Sequence, residues 1–457
     1  MKLSKVLLKT NVLLVGAITV LLAYGVFHKF TSTQSLVLGE QATPTPVALT
    51  SDDFADFSIS VSRHWFLIDA PESVTDNDLS ITTTLSKEQE SWLADVKAVN
   101  PVTYKLIDTR SQDIVREGTL QKMLSGDYRT TVPASILPVG QYVLVVSVNY
   151  GEVEYARATD NIYVSYPLYI SWTLDWEGYD VKDEYLSEIS AISEKYNVPV
   201  THFFNPRIYV NNDISVERAE YLTQWVSDRY ENGDAIGLHM HMFPDMVSAA
   251  GVTPIEDPIQ WGSTLTDGYD ILTSQYGYED MRKMFSWSKD EFAAHGLPTP
   301  ILYRAGGWFA DEVTLKAASD SGMLVDSSGR TAYNFGNNKV SGPWDLDTTM
   351  QPYHPSVEDQ NIQGSVNLPI WEFPNNGADS WAFTKEQMIK RFTDNYQTKV
   401  LSEKKIVTYL SHPEWFSHDD ERVRGLFDSI STYSFENDGG PVVFVTLDDA
   451  YSIWQND

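Results

Sequence analysis

The sequence predicts an α/β fold: an irregular (β/α)7-8 barrel over residues 166–457, preceded by a small immunoglobulin-like β-sandwich and an N-terminal transmembrane helix. Three observations predict it. After residue 166, short and nearly continuous apolar runs alternate with segments of helical period. Before residue 165, the runs instead alternate apolar with polar at a period of two. Ahead of both lies an uncharged stretch at residues 10–28, behind Lys2, Lys5 and Lys9.

That uncharged stretch, centred on VLLVGAITVLLAYGVF, would span about 28 Å as a helix, close to the roughly 30 Å hydrocarbon core of a bilayer. Lysines before it favour a cytoplasmic N-terminus and an extracytoplasmic remainder. Residues 1–30 are therefore expected to be a membrane anchor that makes the protein single-pass. The polar segment 31–51, with two Thr-Pro steps, reads as a linker.

Residues 52–165 read as β structure. PVTYKLID is a short strand before a polar turn, and a Pro-containing turn opens the long run QYVLVVSVNY. There Tyr142, Leu144, Val146 and Val148 share one face, as period-two alternation requires. Several such strands in about 110 residues suggest an antiparallel sandwich of immunoglobulin type.

From residue 166 the pattern is that of a parallel sheet with helices outside, because strands buried on both faces lose strict alternation. LYISWTLD, PVTHFF, AIGLHMH, PILYRAG, GMLVDSS, LPIWEF, KIVTYLSH and VVFVTLDD are the eight expected strands. Leu186, Ile189, Ile192 and Tyr196 carry the helical period of the first crossover. The stretch from Phe243 to Tyr278 has weak periodicity and is expected to cover one rim.

Composition narrows the function. Sixty-three acidic residues face 33 basic ones, a formal net charge of −30, which excludes a nucleic-acid partner because such binding depends on neutralising phosphates. The absence of cysteine excludes disulfides, thiolate nucleophiles and Cys-based zinc sites. Thirteen Trp and 25 Tyr suit a sugar-handling protein and a large aromatic core equally well.

The chemistry gathers at the strand ends. These carry Asp175 and Glu177, His239 and His241, Arg304, Asp326, Glu372 and His412. In a parallel barrel such ends converge on one face, where active sites are built. Residues i and i+2 of a strand point the same way, so Asp175 shares a face with Glu177, and His239 with His241. Two imidazoles and a carboxylate form a three-ligand set that leaves coordination positions open, the pattern of catalytic metal sites.

These segments resemble the polysaccharide deacetylase superfamily. Thr173-Leu174-Asp175-Trp176-Glu177 is similar to its T-F-D-D motif, and Ile236-Gly237-Leu238-His239 to the approach to its metal-binding histidines. Arg304-Ala305-Gly306-Gly307-Trp308 is similar to its arginine motif. Ile370-Trp371-Glu372-Phe373-Pro374 and Leu410-Ser411-His412-Pro413 are similar to its two late motifs. Two positions depart from the pattern. Trp176 stands where a metal-binding Asp is usual, and Phe243 where a second His is usual, so Glu177 and His241 take those places.

The resemblance implies a divalent metal ion, zinc by default, on Glu177, His239 and His241, with an acetylated polysaccharide as substrate. It implies Asp175 as general base, Arg304 as the residue that orients it, and His412 as the acid for the leaving group. Gly306, Gly307, Trp308, Asp326 and Glu372 are expected around the substrate. Two other readings stand beside it. One is a glycoside hydrolase pairing Asp175 or Glu177 with Glu372, and the other a catalytically inactive carbohydrate-binding envelope protein.

Overall fold

A computed structural model describes residues 49–71, 74–263 and 267–455. The expected anchor at residues 1–30 lies outside the described residues. Among the described residues, no helix is long and apolar enough to cross a membrane.

Nine strands of the C-terminal part form one sheet, and every pairing in it is parallel. In chain order they are β1 (Leu168–Asp175), β2 (Val200–Phe204), β3 (Ala235–Met240), β4 (Leu302–Ala305), β5 (Val325–Asp326), β6 (Trp371–Glu372), β7 (Ala378–Asp379), β8 (Lys405–Ser411) and β9 (Val442–Phe444). Across the sheet the order is β6-β5-β4-β3-β2-β1-β8-β7, with β9 pairing the lower half of β1. Every residue of β1, β2 and β3 is buried, which is why these strands read as continuous apolar runs rather than alternating ones.

Two features define the irregularity of the expected barrel. Among the described residues the edge strands β6 and β7 do not pair with each other, so the sheet is curled but open. With β5, β6 and β7 only two residues long, this side offers too few ladder hydrogen bonds to close. The second concerns the last strand. VVFVTLDD stops being a strand after Phe444, and the helix Leu447–Trp454 begins instead, with Thr446 in a reciprocal capping box with Asp449.

The helices form where the period placed them. Asp183–Tyr196 buries Leu186, Ile189 and Ile192 against the sheet and ends at Asn197 in the left-handed region. Val216–Glu231 starts at Ser215, whose side chain accepts from the Arg218 N–H, and buries Leu222 and Val226.

Ahead of this sheet lie two others, of four and five strands, with a common core that includes Leu79, Ile81, Trp92, Leu106, Leu144 and Val146. Tyr142, Leu144, Val146 and Val148 are all buried, as the alternation of Gly140–Tyr150 predicts.

Candidate active site

Strand alternation sorts the side chains at the top of the sheet. Asp175 and Glu177 line a cavity of about 420 Å³, whereas Trp176 between them packs into the core beside Phe204 and Trp225. The same holds on the neighbouring segment: His239 and His241 line the cavity, while Met240 and Met242 lie in the core. Glu177 and His241 stand just past their strands, yet the alternation carries through to them. Phe243 is fully buried in the core, with the Arg207 guanidinium 3.6 Å from its ring centroid.

Glu177, His239 and His241 offer ligand atoms that all lie within 4.8 Å of one another. Each imidazole is held from behind. His239 Nδ1 donates to the Arg304 carbonyl at 2.9 Å, and His241 Nδ1 donates to the Tyr269 carbonyl at 2.7 Å. Those bonds fix the tautomer in the neutral ring, so each Nε2 presents a lone pair. His241 Nε2 then lies 2.6 Å and His239 Nε2 3.5 Å from Glu177 Oε2. Glu177 Oε2 and His239 Nε2 are buried without a hydrogen-bond partner. Three acceptors facing one point in a buried site repel one another unless a cation sits between them. The residues therefore fit a divalent metal ion.

The other expected groups surround this set. Arg304 Nη1 donates to Asp175 Oδ1 at 2.7 Å and to Thr173 Oγ1 at 2.8 Å. Its Nε and Nη2 donate to the Ser327 carbonyl and hydroxyl at 2.8 and 2.7 Å. A fully buried guanidinium with four such bonds has one orientation, and it fixes Asp175. His412 Nε2 lies 3.5 Å from Glu177 Oε1, and its Nδ1 lies 3.7 Å from both Asp379 Oδ1 and Asp419 Oδ2. Burial disfavours the His412 cation, but Asp379, Asp419 and Glu177 outweigh it and push its pKa up to about 10. Glu414 accepts the Glu177 N–H at 2.7 Å, and burial together with the Glu177 charge pushes its pKa well above the ordinary range.

Not every expected residue reaches the cavity. Gly307 and Trp308 line it; Gly306, Asp326 and Glu372 do not. Asp326 and Glu372 are sealed beneath it and brace the turn after β5. Glu372 Oε1 accepts the Gly329 N–H at 2.8 Å, and Asp326 accepts the Ser328 N–H and hydroxyl at 3.0 and 2.8 Å. Burial raises both carboxyls; the Asp326 charge raises Glu372 further, whereas the hydrogen bond from Glu372 lowers Asp326. Both brace the turn whose neighbouring residue, Ser327, accepts two of the Arg304 hydrogen bonds.

Gly306 has a steric role. A Cβ there would lie 2.6 Å from His241 Cγ and 2.7 Å from the Met240 carbonyl. Gly306→Ala is expected to keep the fold but tilt His241, weakening metal affinity about 10–100-fold, as when a ligand's support is lost. Titration with zinc against a competing chelator measures it.

The cavity also holds residues that periodicity does not reveal. Tyr269 stacks on His241 with centroids 4.2 Å apart and planes 13° off parallel, and Trp261 packs beside it. Both come from the rim segment after Phe243. Arg330, Tyr333, Asp379, Trp381 and Trp415 complete the walls. Asp379 sits at the end of a two-residue strand, too short to show a pattern.

No protein-family model and no curated protein matches the sequence. Among solved structures, a Mycobacterium smegmatis protein assigned as a polysaccharide deacetylase is similar at 13% identity and a TM-score of 0.40, covering 64% of this chain and 91% of that one. The peptidoglycan deacetylase PdaC of Bacillus subtilis is similar at 11% identity and a TM-score of 0.32, covering 64% and 93%. A family 4 acetyl xylan esterase from Clostridium thermocellum, solved with a cobalt ion, is similar at 14% identity and a TM-score of 0.32, covering 62% and 91%. Likenesses this loose leave the functional reading to the geometry of the site.

Proposed function

We propose that the chain is a metal-dependent carbohydrate deacetylase acting on an acetylated polysaccharide. The observation that carries this reading is the buried Glu177–His239–His241 set, opening on a cavity that also holds an oriented carboxylate and the His412 imidazole. When bound there, a divalent ion, zinc for this donor set, supplies Lewis acidity towards a water and an acyl oxygen. Asp175 accepts the proton of the attacking water, positioned by its bond to Arg304. His412, kept cationic by Asp379 and Asp419, donates a proton to the departing amine or alkoxide. Gly307 lines the wall, and we assign its backbone N–H to the developing oxyanion. Trp381 and Trp415, with centroids 5.7 Å apart, offer apolar faces to sugar rings.

A glycoside hydrolase needs two carboxyls at the scissile bond, and Glu372 is sealed away from the cavity. The test is product analysis. Residues 52–457 are expected to release acetate from an acetylated amino-sugar polymer, and chelator should abolish the release. Accumulation of reducing ends without acetate, unaffected by chelator, would overturn the reading.

We also read residues 52–165 as an immunoglobulin-like module. Tyr142, near the start of the long strand Gly140–Tyr150, donates from its hydroxyl to the Pro138 carbonyl at 2.6 Å, the bond of a tyrosine corner.

A further inference from the structure

Among the described residues, the charged side chains lining the cavity have partners, with one exception. Asp175 is bonded to Arg304, Glu177 belongs with the two imidazoles to the set that fits a metal ion, and Asp379 accepts the Trp381 N–H at 2.8 Å and faces His412. Arg330 is the exception. It is 5% exposed, its Nε has no hydrogen-bond partner, and no carboxylate lies within 4 Å of its guanidinium, although the Asp379 charge reaches it. A buried cation without a directly bonded anion is unfavourable, so the site has room for one that arrives.

The surroundings say what arrives. The guanidinium carbon lies 4.2 Å from the Trp308 ring centroid, 4.9 Å from Tyr333 and 5.5 Å from Phe335, so aromatic faces hold the fork without using its donors. Trp308 Nε1 is a second buried donor in this wall with no acceptor. Trp308 itself sits at φ 60°, in the left-handed region that a bulky side chain enters only under strain. Two unpaired donors on neighbouring side chains, one of them on a cation, match an oxyanion.

We propose that Arg330 and Trp308 Nε1 form a subsite for an anionic substituent of the substrate, a carboxylate or phosphate borne by a sugar beside the acylated one. That the anion is carried by a glycan rests on the deacetylase reading; that the subsite binds an oxyanion does not. On a chain of net charge −30 the exterior repels polyanions, so recognition falls to this local contact.

The test uses disaccharides without acyl groups, so that no turnover intervenes. Calorimetry on the metal-loaded protein compares cellobiose with its uronic acid and its 6-phosphate. The anionic forms are expected to bind about 10–30-fold more tightly than cellobiose, the increment of a charge-assisted contact. Whichever of the two is preferred identifies the substituent. Arg330→Gln should abolish the preference and Arg330→Lys should reduce it, with unfolding midpoints recorded for both. If Arg330→Gln does not fold, a reduced preference in Arg330→Lys supports the subsite, and an undiminished one overturns it. Equal affinity for charged and neutral forms in the unmodified protein, or a preference that survives Arg330→Gln, also overturns it. Failure of the deacetylase reading would show separately, as absent acetate release with the charge preference intact.

Discussion

Asp175→Asn is expected to lower kcat about 10²–10⁴-fold while leaving fold and metal content in place. The structure explains why this substitution isolates one function. Asp175 contributes a hydrogen-bond acceptor to Arg304 and a base to the cavity, and an amide removes only the second. Its carbonyl oxygen can still accept from Arg304 Nη1, now at 2.7 Å from the carboxylate. Arg304 keeps its bonds to Thr173 and Ser327 as well. Asp175→Ala is a poorer probe, because removing one partner of a buried pair costs about 3–5 kcal/mol and leaves an uncompensated guanidinium. Steady-state acetate release, with zinc content and thermal unfolding measured on the same preparation, separates the effects. An Asp175→Asn protein with undiminished kcat would mean that another group accepts the proton.

Much of this site was legible in the sequence because a buried parallel sheet encodes position twice. Strand ends converge on one face, and alternation decides which side chains point to it. Asp175, Glu177, His239, His241, Arg304 and His412 are brought together for those two reasons. Where the strands shrink to two residues, the logic weakens. Asp326 and Glu372 stand at strand ends, as read, but the Ser327–Ser328–Gly329 turn folds over them and closes them off from the cavity. Tyr269 and Arg330 were not legible at all. Each lies in an irregular segment, where no period marks which side chain turns inward. Tyr269 acts partly through its backbone carbonyl, which residue type does not report. Where the irregular barrel opens was not legible for the same reason as Asp379 escaped notice: segments this short carry pairing information only in three dimensions.

His241→Ala is expected to lose metal as completely as His239→Ala, whereas Phe243→Leu keeps it. The pattern that this chain resembles would place a second histidine at position 243. Here that side chain is fully buried in the core, its ring centroid 5.8 Å from that of His241 and Arg207 against its face. A leucine preserves the apolar contact, and Arg207 keeps its ion pair with Asp245 at 3.0 Å. His241 has the opposite surroundings. Its Nε2 is 2.6 Å from Glu177 Oε2, its Nδ1 is committed to the Tyr269 carbonyl, and its ring is clamped against Tyr269. Nothing in that arrangement uses the Nε2 lone pair except a cation. Removing it leaves one imidazole and one carboxylate, so affinity should fall by more than the roughly 10–100-fold that follows loss of a ligand's supporting bond. Elemental analysis on folded protein, with circular dichroism as the control, reads the result. A His241→Ala protein that still holds a full equivalent of metal would show that the third ligand lies elsewhere, with Glu414 and His412 the nearest candidates around Glu177.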